Sequence, residues 1–221
     1  MSQHHWYVLA LLGAAVAAGA GGCNNEDETA EAPAASEGTA AAQAPAPGEQ
    51  EAQEEELEQQ PPASPYADVD HAIVVLEPTK GNDTGGTVRL DKVEKGVHVT
   101  GTIVGLEPGT KHGFHIHEFG DCSAPDGTSA GGHYNPEGYP HALPPKTPRH
   151  AGDMGNVVAD DDGKAEVDKT FDLFTIGEER DPVLGRSIIV HAKEDDGGQP
   201  TGNAGARIAC GVIGIAKSAS Q

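Results

Sequence analysis

No lysine or arginine precedes Lys80 in this chain of 221 residues, aromatic side chains make up only 4% of it, and the cysteines number three. Each shortage excludes something. With 14 basic against 35 acidic side chains the formal charge is −21, and no basic patch is available to neutralise a phosphate backbone. A nucleic-acid partner is therefore not expected. The one sizeable apolar run, WYVLALLGAAVAAGA at residues 6–20, is too short and too glycine-rich for a membrane span. Few aromatics beside 30 glycines and 16 prolines suit a turn-rich β protein better than a helical one. The length fits one ordinary domain plus extras.

The apolar run, ending in small residues, reads as the core of an export signal. A-G-G-C, ending at Cys23, resembles a bacterial lipoprotein processing site, where the cysteine is lipidated and becomes the new N-terminus. Ala20 stands where leucine is commoner, and the segment before the run carries no lysine or arginine. Residues 1–23 are thus expected to be a signal peptide and the product an exported, membrane-anchored lipoprotein facing the periplasm or the cell surface. A plain secretory signal, leaving a soluble product, and an uncleaved N-terminal helix are the alternatives. The cysteine count fits export: with Cys23 acylated, Cys122 and Cys210 remain as an even pair, as an oxidising compartment favours. A bridge between them would close about ninety residues and stabilise by roughly 4–5 kcal/mol in the chain-entropy model.

Residues 24–65 are Ala, Glu, Gln and Pro with almost no large apolar side chain, and they hold eleven carboxylates between Glu26 and Glu58. Such a segment cannot bury enough surface to offset its chain entropy and is expected to be a disordered acidic tether. As a flexible coil it would span roughly 35–40 Å. Removing its acids leaves 35 − 11 = 24 against 14 bases, about −10 for the remainder.

From Tyr66 the texture changes. HAIVVLEP, TVRLDKV, GVHVTGTIVGL, GFHIHEF, GNVVADDDGKAEVDKTFDL, RSIIVHA and RIACGVIGIA are short β-branched runs separated by Gly, Asp and Pro. EKG at 94–96 and DDG at 161–163 read as hairpin turns. About eight strands with long loops at 118–152 and 171–185 predict an all-β antiparallel sandwich or barrel over residues 66–221.

Histidine spacing supplies the chemistry. His115 and His117 lie two apart in a strand, so both imidazoles point to one face and can reach one ion. His191 ends another apolar strand, where a lone histidine is more often structural than a ligand. HYNPEGYPHALPPKTPRHAGD, at 133–153, adds His133, His141, His150 and Asp153. Its prolines and glycines let the loop fold back, and three imidazoles with one carboxylate suit a tetrahedral zinc site. Read alone, the segment is equally a solvated Pro-rich loop.

GFHIHEFGDC, GGHYNP, RHAGDMGNV, GRSIIVHA and TGNAGARIACGVIGIA together resemble the signature blocks of copper/zinc superoxide dismutases, in the family's order and with its histidine spacings across residues 70–216. The resemblance implies an eight-stranded Greek-key β-barrel or sandwich with long metal-binding loops. It implies copper held by His115, His117, His133 and His191. Zinc would be held by His133, His141, His150 and Asp153, with the deprotonated ring of His133 shared between the metals. Asp195 matches the carboxylate that links a copper ligand to a zinc ligand, here His115 and His141. Arg207 matches the arginine that receives the anionic substrate. Cys122 and Cys210 match the family's disulfide, His112 a structural histidine, and Asp121 and Gly120 loop geometry only. His71 and His98 read as polar strand-surface positions.

The implied activity is dismutation of superoxide to oxygen and hydrogen peroxide by a copper reduced and reoxidised in turn, His133 returning a proton, as antioxidant defence outside the cytoplasm. An acidic chain serving an anion is a conflict. It eases if the tether's eleven carboxylates lie beyond the screening distance of about 8 Å. Two departures from the animal members stand out. The stretch HAKEDDGGQPTG from His191 to Gly202 is shorter, with Pro200 where a lysine would sit, so Lys146, Arg149 or Lys193 are candidates for guiding substrate. Cys122 follows FGD directly, which rearranges the loop that forms the animal dimer contact; a homodimer is possible here. A copper- or zinc-storing module of the same fold would be expected to lose a ligand or the arginine, and none is missing. A purely structural domain gives no reason for seven aligned ligands.

Overall fold

The computed structural model describes residues 63–218; the leader, Cys23 and nearly all of the acidic segment lie outside the described residues. Nine strands follow one another: β1 (His71–Pro78), β2 (Gly85–Val93), β3 (Gly96–Val104), β4 (Lys111–His117), β5 (Asp153–Val158), β6 (Ala165–Phe171), β7 (Ser187–His191), β8 (Arg207–Val212) and β9 (Gly214–Ile215). Eight of them answer the predicted strands. The ninth is a two-residue continuation that pairs with Ala72 and Ile73 of β1. Among the described residues the only helical element is a single 3-10 turn, Thr128–Ala130, and no helix is long and apolar enough to cross a membrane.

Strand neighbours run β5-β4-β7-β8-β1-β2-β3-β6, with every pairing antiparallel. β1 to β3 form a meander, the chain crosses to β4 and β5, and β6 returns to the side of β3, a Greek-key path. β1 is the bend: it pairs with β2 from His71 to Leu76 but with β8 only at Glu77 and Pro78. The end strands β5 and β6 pack together and are joined by a tight turn, so the barrel is nearly closed. In that turn the Asp160 carboxylate accepts the amides of Asp162 and Lys164, each at 2.9 Å.

Alternation fills the core. Ala72, Val74 and Leu76 of β1, Val88 and Leu90 of β2, and Val97, Val99 and Ile103 of β3 are buried while their neighbours face outward. Phe114, Ile116, Ile188 and Val190 meet them from the other half. Each such side chain contributes roughly 1.5–3 kcal/mol by leaving water. β7 is buried at all five positions, because Ile189 packs outward with Ala130 and Cys210 under the loop that carries Cys122.

This is how the fold positions its histidines. β4 and β7 lie side by side, pairing Phe114 with Val190 and His117 with Ser187. The register slips at Gly113–His115 between β4 and β5, and at Val190–His191 between β7 and β8. Irregularities of this kind re-aim side chains at sites. A Cβ on Gly113 would come within 2.8 Å of Ala204 Cβ and 3.0 Å of His115 Cε1, so glycine is what lets the 204 segment approach the ring.

Candidate metal centre

Four imidazoles converge from three places: His115 and His117 from β4, His191 from the end of β7, and His133 from the loop, where it forms an isolated bridge with His117. One ligand atom from each of these four lies within 4.8 Å of all the others. A second set, His133, His141, His150 and Asp153, meets the same limit, and all seven residues are buried. His133 belongs to both sets.

Hydrogen bonds to the far side of each ring decide which nitrogen faces inward. His117 Nδ1 lies 3.0 Å from Gly131 O and His191 Nδ1 3.2 Å from Gly205 O. A carbonyl only accepts, so both nitrogens carry the proton and both Nε2 lone pairs turn inward, 3.3 Å apart. Asp195 does the same for two rings at once: Oδ2 lies 2.8 Å from His115 Nε2 and Oδ1 2.9 Å from His141 Nε2. That leaves His115 Nδ1 in the first set and His141 Nδ1 in the second. His133 has no such outward acceptor. Its Nδ1 lies 2.9 Å from Asp153 Oδ1, and its Nε2 faces the other cluster.

These residues fit two metal ions. His115 Nδ1, His133 Nε2 and His141 Nδ1 are buried without any hydrogen-bond partner, and each orphan costs about 1–3 kcal/mol unless something meets it. His141 Nδ1 does sit 3.0 Å from Asp153 Oδ1, but without the direction of a hydrogen bond. That is the arrangement of two ligands facing one ion rather than each other. Asp153 Oδ1 is also 3.1 Å from His150 Nδ1. Three imidazole nitrogens and one carboxylate oxygen suit tetrahedral zinc, and four imidazole nitrogens suit copper in both redox states.

Electrostatics agree. Burial holds His133 down to about 4, with the neighbouring rings of His115 and His141 adding to it and Asp153 opposing. Burial, then His115, His133 and Arg207, hold His191 down to about 3. His117 is pushed well below the ordinary histidine range, again mainly by burial. His141 is the exception: burial works against it, yet Asp153 and Asp195 on its two edges raise it to about 9. Asp153 and Asp195 themselves stay ionised, burial being outweighed by the histidines they contact. Two ionised carboxylates beside the neutral rings of His117, His133 and His191 call for cations.

Beside the first set, the Arg207 guanidinium donates to Gly127 O and Gly131 O, both at 2.6 Å. Gly131 O is the same carbonyl that orients His117. The Cys122–Cys210 disulfide fixes the 118–132 loop bearing these carbonyls to β8, which carries Arg207.

The remaining sequence candidates separate. His112 is buried between Thr110 Oγ1 at 2.7 Å and His191 O at 2.8 Å, a bracing position. Asp121 accepts the Ser123 amide at 2.8 Å, and a Cβ on Gly120 would overlap Gly185 O; both shape the loop. His71 and His98 sit on strand surfaces against Asp91 and Asp168. Lys146 and Lys193 are exposed. Arg149, a candidate guide for substrate, is instead 5% exposed, donating to Lys146 O at 3.2 Å and Asp153 O at 3.4 Å. It braces the loop from within, because the charge of a residue in sequence says nothing about which way its chain turns. Two residues escaped the sequence reading. Asn156 grips the backbone of Asp195, accepting its N–H at 2.8 Å and donating to its carbonyl at 2.9 Å. Gln199 grips the backbone of His141. Neither sits in a spacing pattern that could have revealed it.

Fold and site together define a two-site, histidine-built metal centre on an antiparallel β-barrel. The sequence family described as copper/zinc superoxide dismutase (SODC) matches residues 84–213. "Superoxide dismutase [Cu-Zn]" of Paramecium bursaria Chlorella virus 1 is 46% identical over 155 residues, covering 66% of this chain and 79% of that protein. The crystal structure of the clock protein EA4 superposes with a TM-score of 0.61 at 41% identity, covering 66% of this chain and 95% of that one. The chain belongs to the copper/zinc superoxide dismutase family, oxidoreductases that dismutate superoxide using copper and zinc.

Proposed function

We propose that His115, His117, His133 and His191 hold copper and that His133, His141, His150 and Asp153 hold zinc, His133 serving both through its two nitrogens. The observation that carries this reading is the shared membership of His133, with Nδ1 toward Asp153 and a partnerless Nε2 toward the other set. When bound, copper supplies the one-electron chemistry that converts superoxide to oxygen and to hydrogen peroxide, and zinc supplies fixed positive charge. The protein does the rest. Gly131 O, Gly205 O and Asp195 fix the ring orientations, so the ligand set is formed before any ion enters. Arg207, held by two carbonyls and always charged, presents a cation to an incoming anion at the edge of the cluster. His133 Nε2 has no protein partner and is the atom on which a proton can be held and released.

The test is metal analysis paired with superoxide consumption on the full chain and on His191→Ala. The intact protein should hold about one copper and one zinc and consume superoxide. His191→Ala should lose copper and activity while keeping zinc. Simultaneous loss of both metals, or an inactive, fully metallated parent, would contradict the assignment.

The proposal extends to location and assembly. The apolar run before A-G-G-C supports an exported enzyme anchored to membrane by lipid on Cys23, acting as antioxidant defence outside the cytoplasm. Cys23→Ser should move it from the membrane fraction to the soluble fraction; an unchanged distribution argues against the anchor. A homodimer is supported by the apolar residues left in contact with solvent, whose test belongs to the whole molecule.

A further inference from the structure

The segment after β7 is short, and one of its side chains makes a contact that no part of the metal-centre reading uses. Gln199 is an exposed residue, the kind that ordinarily samples many rotamers in water. Here both ends of its amide are engaged on one buried residue. Its Nε2 donates to His141 O at 2.7 Å, and its Oε1 accepts the His141 N–H at 3.2 Å. The same segment reaches the other end of His141 through Asp195, whose Oδ1 lies 2.9 Å from the ring Nε2. His141 is therefore held at ring, amide and carbonyl by residues only four apart.

The segment is itself tied into a compact turn. Gly197 N donates to Asp195 Oδ1 at 2.9 Å, Gly202 N to Gly198 O at 2.6 Å, and Asp196 N to Gly202 O at 2.9 Å. Gly202 has φ +78°, and a Cβ there would overlap Asp195 Oδ1 and come within 2.9 Å of His141 Nε2. Asn156 anchors the turn to β5 by holding both backbone groups of Asp195. The loop that carries His141 supplies the opposite side: Ala142 N donates to Asp153 Oδ2 at 3.1 Å. Without Gln199, the backbone N–H and C=O of His141 lose their only side-chain partners among the described residues.

We infer that Gln199 is a positioning residue for the His133–Asp153 site: its two-armed contact fixes the His141 backbone, so that the Nδ1 of that ring meets the ion without reorganisation. This rests on reading His133, His141, His150 and Asp153 as the zinc set. It predicts a site whose affinity depends on an exposed amide that touches no metal.

The experiment uses the full chain and three variants, Gln199→Ala, Gln199→Glu and His150→Ala, with zinc affinity read by chelator competition. Cobalt(II) absorption reports the geometry of the same site, and the melting temperature is taken without metal. Partners beyond the direct ligands typically change metal affinity by 10–100-fold, so Gln199→Ala should weaken zinc by about 10-fold and alter the cobalt spectrum. Gln199→Glu is the sharper case. It keeps size and one arm but cannot donate to His141 O, and it adds negative charge beside a cation site. If the amide acts as a clamp, Glu weakens zinc; tighter binding in Gln199→Glu would mean that only local charge matters, and overturns the proposal. Metal-free melting should fall by no more than a few degrees in both, roughly what the loss of hydrogen bonds from one exposed side chain allows; a larger fall that accounts for the lost affinity would make the role merely structural and also overturns it. Unchanged zinc in both Gln199 variants while His150→Ala loses it defeats the clamp alone. Unchanged zinc in His150→Ala defeats the reading of the site and the clamp together.

Discussion

Seven side chains act here through the nitrogen or oxygen they turn inward, and the physics of each is set by what lies behind it. A backbone carbonyl behind His117 and His191, and a carboxylate behind His115 and His141, fix which nitrogen of each ring turns inward. The same burial has a consequence for pH in the metal-free protein. An exposed histidine in the unfolded chain titrates near 6.5, roughly. In the folded chain His133 titrates at about 4 and His191 at about 3. Both are depressed, so the unfolded state binds more protons, and their stability contribution is present above about 6.5 and is lost as pH falls through the folded values. His141, raised to about 9, behaves oppositely: its contribution is complete below the unfolded value and fades as pH rises through about 9. Metal-free protein should therefore be most stable near pH 6.5–7, roughly, and weaken on both sides. Denaturant unfolding across pH measures it. Bound metals occupy the same nitrogens and should push the acid limb lower. A flat profile down to pH 4 would show that the rings are not buried neutral as described.

At the scale of elements, the site is an alliance between rigid strands and long loops, and the disulfide is what joins them. β4 and β7 carry three of the proposed ligands on adjacent strands; the 118–132 loop carries none but orients His117 and Arg207 through Gly127 and Gly131. The Cys122–Cys210 bond, 88 residues apart, pins that loop to the strand bearing Arg207. Cys122→Ser should cost about 2–5 kcal/mol of stability. It should also lower superoxide turnover more than it lowers zinc content, because the loosened carbonyls serve Arg207 and not the zinc set. Calorimetry, metal analysis and activity on one preparation separate these effects; equal loss of zinc and activity would count against the division of labour. Much of this level was readable from letters alone. The H-x-H pair announced one strand face, the alternation in β1 to β3 announced the core, and the family blocks pointed to the seven residues that the fold brings together. Gln199, Asn156 and the Gly127 and Gly131 carbonyls were not readable. Main-chain acceptors have no letter of their own, and an amide's partner is chosen by how loops close in space. Arg149 was misread for the same reason, its buried direction being a property of the loop.

At the scale of the molecule, what remains is how an acidic chain with so few aromatics disposes of the apolar groups it leaves outside. Tyr66, Phe119, Val212 and Ile215 are 50%, 57%, 42% and 58% exposed. Single exposed hydrophobics are ordinary, but two of these share one depression. Tyr66 and Ile215 line one shallow depression with Leu184, Gly185 and Ile213. The backbone beside Phe119 closes onto the same surface, since a Cβ on Gly120 would meet Gly185 O and come within 3.1 Å of Val212 Cγ1. Clustered exposed apolar groups are what an association surface requires, and a stable two-fold contact needs about 800 Å² from each partner. Phe119 is the more exposed of the two aromatic rings, 57% against 50% for Tyr66. Phe119→Glu would bring two carboxylates together across a two-fold contact, so it should convert a dimer to monomer at micromolar concentration while leaving copper, zinc and the disulfide in place. Sedimentation velocity of the parent and the variant, each metal-loaded, reads the outcome. Retention of the parent's mass by Phe119→Glu would move the interface elsewhere, and a monomeric parent would remove it. Loss of metal on the same substitution would instead tie assembly to the site through Gly131, against which the Phe119 ring is packed closely enough that a Cβ there would lie 2.7 Å from Phe119 Cδ2.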